Sequence, residues 1–232
     1  MAKQKVFIIH GWTYSLNRWD EAMRELGERG YEPVMLKVPG LSESSDAVWD
    51  VGKYVEWLGM QLKSEKHTII IGHSNGGRIA MAYDVAHPGQ IKHLFLVSSA
   101  GIYHDSQSAS MRRKVFGGVS KVLKPIARGP IRRVLYRLIG ASDYGNAKPN
   151  MRQTMVNVTD HDKTFDVSQV SAPATLIWGR EDKATPVDDA QQIQSRLQNP
   201  GELRIFPGVG HSPHGDKPGE FADIVDETIK GL

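Results

Sequence analysis

Three side chains of this 232-residue chain have the types and spacing to cleave an acyl bond: Ser74, Asp182 and His211. Ser74 stands in Gly72-His73-Ser74-Asn75-Gly76, directly after the isoleucine run 69–71. The pattern G-x-S-x-G marks a sharp strand-to-helix turn that holds a serine hydroxyl clear of a sheet. A hydroxyl alone is a poor nucleophile; it needs a base to take its proton, and the base needs an acid to orient it. Asp182 follows ATLIWG and His211 follows ELRIF, so each falls just beyond a short apolar run. The chain order Ser, Asp, His is the one this elbow predicts. A developing oxyanion needs backbone N–H donors. That of Asn75 follows the serine, and that of Trp12 stands in His10-Gly11-Trp12 after the first apolar run. One such donor is worth roughly 3 kcal/mol of barrier.

These residues need rigid elements to hold them. The segments 5–9, 33–38, 68–71, 94–97, 174–178 and 203–206 are brief, aliphatic and bounded by glycine, proline or polar residues, so they read as buried strands. Between them, Leu16, Trp19, Met23 and Leu26 fall on one helical face, and Val48, Val51, Val55 and Leu58 on another. Ile193 with Leu197, and Phe221 with Ile224, Val225 and Ile229, repeat the pattern. Alternating strands and helices predict an α/β fold: a parallel sheet with helices on both faces. Residues just past the carboxyl ends of its strands are then gathered on one rim.

The segment 103–171 interrupts the alternation. Between Ser106 and Ser142 it carries Arg112, Arg113, Lys114, Lys121, Lys124, Arg128, Arg132, Arg133 and Arg137 with no Asp or Glu. It reads as a helical cap inserted into a core domain formed by 1–102 and 172–232. It leaves after Ser98-Ser99-Ala100-Gly101 and returns at Ala172-Pro173, so both its ends should lie near Ser74, as a lid would require. Its charged face either meets water or draws anionic substrates. Met111, Val115, Val119, Val122 and Leu123 give it an apolar side able to cover an acyl pocket or touch a membrane surface peripherally.

Composition narrows the classes. Hydrophobic residues at 40% and charged residues at 24% are ordinary globular values. The absence of cysteine excludes disulfides, thiolate metal sites and a cysteine nucleophile. No run is long and apolar enough to span a membrane, and the start MAKQKVFIIHGW lacks the features of a secretory leader, so a cytoplasmic protein is expected. The net charge of +3 is too small to imply nucleic acid.

Four stretches, in order, carry a resemblance: HGW at 10–12, GHSNGG at 72–77, WGREDKATP at 178–186 and GVGHSPHGDKP at 208–218. Over nearly its whole length the chain resembles the α/β-hydrolase fold superfamily, in particular its small, lidded, esterase-like members. The resemblance implies a three-layer, doubly wound, mostly parallel six-stranded sheet. The two leading strands of larger members are expected to be absent. It also places the acid at Asp182 rather than Glu181. Relatives that cleave haloalkanes or open epoxides carry aspartate at the elbow, so Ser74 argues against alkyl-enzyme chemistry.

Other residues have plainer readings. His10 reads as a brace for the loop bearing Trp12, and His73 as a structural residue of the elbow. His211, His214 and Asp216 share a metal-like spacing, but no third ligand is forced and the hydrolase pattern explains it, so no metal or cofactor is expected. His161, between Asp160 and Asp162, reads as a solvated loop. Tyr14, Ile102, Tyr103 and Val209 either line a substrate pocket or simply pack. The expected function is hydrolysis of a small-molecule carboxylic ester through an acyl-enzyme. An amidase or peptidase, a thioesterase, a carbon–carbon bond hydrolase and a ligand-binding receptor of the same fold are the alternatives. The sequence does not fix the substrate or the oligomeric state.

Overall fold

Runs of β-branched residues too apolar to face water become strands buried on both sides, and here they set the middle of the molecule. The computed structural model describes residues 3–104 and 148–232. In chain order these form β1 (Lys5–Ile9), α1 (Asp20–Glu28), β2 (Glu32–Met35), α2 (Val51–Gln61), β3 (Thr68–His73), α3 (Asn75–Ala86) and β4 (Ile91–Val97). There follow α4 (Pro149–His161), β5 (Ala174–Gly179), α5 (Val187–Arg196), β6 (Pro200–Phe206), α6 (Pro213–Asp216) and α7 (Pro218–Lys230). Among the described residues the sheet has six strands in the order β2-β1-β3-β4-β5-β6, and each neighbouring pair is parallel.

Side chains alternate across the pleat and feed two cores. Phe7, Ile9, Ile70, Leu94, Leu96 and Leu176 meet Tyr54, Leu58, Ile79, Met151 and Ile193 from α2, α3, α4 and α5. Val6, Ile8, Ile69, Ile71, Phe95 and Ile177 meet Leu26, Phe221 and Val225 from α1 and α7, with Trp19 beside them. Each fully buried Leu, Ile or Phe contributes about 1.5–3 kcal/mol relative to exposure. The predicted three-layer, doubly wound arrangement is therefore present, with two dry interfaces gripping one sheet. Since β1 is flanked by β2 on one side and β3 on the other, the strand order reverses there. That opens a crevice at the carboxyl ends of β1 and β3.

The crevice is where the elbow stands. Ser74 has φ +52°, a left-handed conformation that a residue with a side chain rarely adopts. The turn is this sharp because α3 starts immediately and runs back close against the sheet. A Cβ on Gly72 would lie 2.6 Å from the Gly77 Cα, and one on Gly76 would run into the carbonyl of Ile9. Both glycines are thus required by close backbone approach.

The element edges differ from the sequence reading where apolar content and backbone pairing part company. β6 begins at Pro200, before the apolar run 203–206, because pairing with β5 needs backbone groups rather than greasy side chains. β3 continues through Gly72 and His73. β2 covers Glu32–Met35; past it, the Val38 N–H turns to the Ser42 hydroxyl at 2.9 Å. Val48 lies outside α2, which begins after Asp50, whose carboxylate accepts the Lys53 N–H at 2.8 Å. The inner face of α2 is Val51, Tyr54, Trp57 and Leu58. Much of the predicted cap, 105–147, with all nine cations and the apolar side noted above, lies outside the described residues. Among the described residues, no helix is long and apolar enough to cross a membrane.

Gly76→Ala is expected to destabilise the fold by about 2–3 kcal/mol, because the clash is with backbone that cannot rotate away. Gly27→Ala, where an added Cβ meets nothing within 4 Å, should instead stabilise α1 by about 0.5–1 kcal/mol. Chemical denaturation of both variants, compared with wild type, checks the pair.

Candidate active site

The rim above β3, β5 and β6 brings together residues that lie far apart in sequence. Asp182 sits three residues beyond β5 and is buried, 5% exposed, whereas the neighbouring Glu181 is exposed. Its Oδ1 accepts the backbone N–H of Ala184 at 2.9 Å and of Thr185 at 3.0 Å. Its Oδ2 lies 2.8 Å from His211 Nδ1. The carboxylate can only accept, so His211 donates from Nδ1, and its Nε2 is left to accept from the Ser74 hydroxyl 3.0 Å away. Burial alone would raise the pKa of Asp182. The hydrogen bond and charge of His211, with the backbone N–H of Thr185, outweigh it and hold the carboxyl below its ordinary value. The acid therefore stays ionised beside the imidazole.

Thr185 is a member of this cluster that the sequence reading quoted only within a motif. Its Oγ1 lies 2.9 Å from Asp182 Oδ2, 3.0 Å from the Ser98 carbonyl and 3.3 Å from His211 Nδ1. It therefore meets the same carboxylate oxygen that faces His211, beside the imidazole nitrogen.

The imidazole is held from behind by other rings. His73, buried at the end of β3, donates from Nε2 to the backbone carbonyl of His211 at 2.8 Å. Burial, then repulsion from a charged His211, push the His73 pKa down to about 3, so it stays neutral. His214 of α6 stacks on Trp19 with ring centroids 3.7 Å apart and meets His73 edge-on at 4.6 Å. Burial likewise lowers His214 well below an ordinary histidine. Asp216 is turned to Arg18. The H-x-x-H spacing thus serves ring packing, and among the described residues no group of three or more His, Asp or Glu side chains is placed to hold a metal.

The loop after β1 passes beside the serine: a Cβ on Gly11 would fall 2.8 Å from that of Ser74. His10 braces this loop, its Nδ1 donating to the Gly11 carbonyl at 2.8 Å and its Nε2 accepting from the Ser42 hydroxyl at 2.6 Å. Trp12 is half-buried and Asn75, the first residue of α3, is buried. Among the described residues neither of their backbone N–H groups meets an acceptor. Ile102 and Tyr103 line a cavity of about 410 Å³ that also touches Arg78, Thr159, Asp162, Thr185 and Asp189. Tyr14 is exposed on the rim, and Val209 is buried in the core against α1 and α7. The reading of His161 and its neighbours as a solvated loop needs correction: His161 ends α4, and Asp162 is buried in an ion pair with Arg78.

The lowered histidines have a consequence for stability. A group whose folded pKa is depressed as a cation stays neutral in the fold but binds a proton in the unfolded chain. Stability is then complete above the unfolded histidine value near 6.5 and falls as pH drops below it. His73 and His214 each add a slope approaching 1.4 kcal/mol per pH unit below that point. His214→Phe keeps the stack on Trp19 and removes one titrating ring. Denaturant unfolding at pH 7, 6 and 5 is expected to show a shallower acid loss in the variant than in wild type.

Comparison with known proteins agrees with this fold. The profile of the alpha/beta hydrolase family matches residues 6–224. A pimeloyl-[acyl-carrier protein] methyl ester esterase of Nitrosomonas europaea is 22% identical over 94% of this chain and 93% of its own. A 2-hydroxy-6-oxononadienedioate/2-hydroxy-6-oxononatrienedioate hydrolase of Dechloromonas aromatica is 28% identical over 96% of this chain and 85% of its own. Among solved structures, an alpha/beta hydrolase enzyme from a lagoon-sediment metagenome superposes with a TM-score of 0.73 at 21% identity, covering 99% of this chain and 92% of that one. A serine hydrolase involved in carbazole degradation does so at 0.72 and 20%, with the same coverage of both chains. With the family profile spanning almost all of it, the chain belongs to the α/β-hydrolase family.

Proposed function

We propose that this hydrolase cleaves carboxylic esters through an acyl-enzyme, with Ser74 as nucleophile, His211 as base and Asp182 as the orienting acid. The observation that carries the reading is the unbroken hydrogen-bond chain from the Ser74 hydroxyl through both nitrogens of His211 to a buried carboxylate. The serine oxygen attacks the ester carbonyl as its proton passes to His211 Nε2. Asp182 offsets the charge that then develops on the imidazole. The carbonyl oxygen becomes an oxyanion, met by the backbone N–H groups of Asn75 and Trp12. His211 returns the proton to the leaving alcohol, and the acyl group stays on Ser74. Water, deprotonated by the same histidine, then releases the acid. Ile102 and Tyr103, which line the cavity, are the proposed contacts to substrate. The methyl ester esterase among the relatives supports an ester. The dienedioate hydrolase supports one second reading, hydrolysis of an oxononadienedioate on the same residues.

Turnover of a short p-nitrophenyl ester tests the proposal. Wild type is expected to release p-nitrophenol catalytically, and Ser74→Ala to lose that activity while keeping its unfolding midpoint, because such a triad fails as a unit. An inert wild type, or an active Ser74→Ala variant, would reject ester hydrolysis at this site.

The acid is tested separately. Asp182→Asn is expected to lower kcat on the order of 10⁴-fold, as an amide forces the wrong imidazole tautomer. Glu181→Gln, at an exposed side chain with no part in the chain, should change it less than threefold, roughly the scatter of a surface change. Reversed costs would move the acid to Glu181.

A further inference from the structure

The elbow helix α3 carries two buried charges near its start and its end, Arg78 and Asp84, and both are directed at the segment that returns to the core after α4. Asp84 Oδ2 accepts the backbone N–H groups of Ser171 at 2.6 Å and Ala172 at 2.9 Å, which fixes the entry into β5. Arg78 does something different. Its Nε and Nη2 donate to the two carboxylate oxygens of Asp162 at 2.7 and 2.6 Å, a bidentate pair in which the residues are only 6% and 8% exposed. Its third edge, Nη1, donates to the side-chain oxygen of Asn75 at 2.6 Å. Asn75 stands one helical turn before Arg78, on the same face.

A buried ion pair is weak evidence for stability, since an apolar pair of the same volume often serves as well or better. What a guanidinium supplies instead is a planar fork that fixes direction. Here the fork joins two parts, Asp162 at the end of α4 and the Asn75 side chain at the start of α3, while the backbone N–H of Arg78 reaches the peptide between Ser74 and Asn75. The carbonyl of that peptide accepts the backbone N–H of Arg78 at 3.3 Å, of Gly77 at 3.1 Å and of Ala100 at 3.0 Å. Arg78 therefore holds both residues of that peptide, Ser74 by its own N–H on the carbonyl and Asn75 by its guanidinium on the side-chain oxygen. The N–H of the same peptide points the other way, and it sits next to a backbone already forced into the left-handed region at Ser74.

We propose that Arg78 is a positioning residue for oxyanion binding: anchored by Asp162, it holds Asn75 so that the Ser74–Asn75 peptide N–H keeps its aim at the reacting carbonyl oxygen. The proposal rests on the reading of Ser74 and Asn75 given under Proposed function. Arg78 also lines the cavity beside Ile102 and Tyr103; in this proposal it acts through Asn75, and an unchanged KM separates that role from direct contact with substrate. Because Asp162 caps α4, the same anchor ties that helix to the elbow. The far part of α4 is held independently: Thr154 accepts the Trp49 N–H at 2.9 Å, and Asn150 donates to the Ser45 carbonyl at 3.0 Å.

The test uses Arg78→Met, Asp162→Asn, Asn75→Ala and the double variant Asn75→Ala/Arg78→Met in the full chain. It reads kcat and KM for a p-nitrophenyl ester, the inhibition constant of an alkyl boronic acid, and the unfolding midpoint. The boronic acid forms a tetrahedral anion on a serine and so reports the oxyanion site directly. The expected result for Arg78→Met is a fall in kcat of tenfold or more with KM within twofold, and boronate binding weakened by the same factor. Asp162→Asn, which keeps the shape of the pair, should show a smaller loss of the same kind and covers the case in which Arg78→Met does not fold. The double variant should be no worse than Arg78→Met alone, since both changes break one chain. Unchanged kcat in the Arg78 and Asp162 variants would overturn the proposal, as would full additivity in the double variant or a lowered midpoint with boronate affinity intact. Failure of the underlying reading looks different: wild type itself would neither turn over the ester nor bind the boronate.

Discussion

The close approach of β3 and α3 is the constraint on which the rest of this molecule depends. The backbones of β3 and α3 pass so near that only hydrogen fits at Gly72, the end of β1 presses as closely on Gly76, and between strand and helix Ser74 is held at φ +52°. Backbone strain of this kind costs on the order of 1–3 kcal/mol and persists only where the surroundings over-determine it. They do so here. β3 is buried along its whole length, α3 is buried on nearly every side, and the two cores grip the sheet from both faces. The apolar burial that makes the fold thus also supports a conformation the local chain would not choose. The same closeness puts the start of α3 beneath the serine, where its dipole favours developing negative charge.

The proposed chemistry also needs an acid that stays charged although it is buried beside an imidazole. The chain meets this need by unequal solvation. Asp182 receives two backbone N–H groups and one imidazole N–H, which hold it ionised despite burial. Among the described residues no carboxylate is hydrogen-bonded to His73 or His214, and burial keeps them neutral. Neutral rings behind His211 add no repulsive charge when it takes up a proton. Trp19, fixed in the core beside α1, backs the stack on His214, so the orientation of His211 is set in part by packing several residues away.

The sequence showed the parts whose chemistry is local. The elbow reads from six consecutive residues, because glycines at 72 and 76 and an isoleucine run before them leave one backbone solution. Their places after strands drew Asp182 and His211 toward the rim, and the resemblance singled out Asp182 over Glu181 as the proposed acid. Alternating strands and helices predicted a parallel sheet, and the family resemblance implied its six strands. What did not read were contacts made across the fold. Trp19, His73 and His214 come from three separate segments, and no spacing announces that they will stack. Arg78 looks like any exposed helical arginine until α4 returns to bury it against Asp162, and for the same reason Asp162 looked like part of a solvated loop. Strand ends were misjudged where, as in β6, backbone pairing with a neighbour continues past the apolar run.

The central claim is that one serine hydroxyl, made reactive by its neighbours, performs the chemistry. Its most direct measurement is the site of covalent attack by a fluorophosphonate, located by peptide mass spectrometry after labelling of the native protein and of a urea-unfolded control. Labelling of Ser74 alone, absent from the unfolded chain and lost in a His211→Ala variant, is the expected result. Hydrolytic activity that disappears on labelling while Ser74 stays unmodified would contradict it.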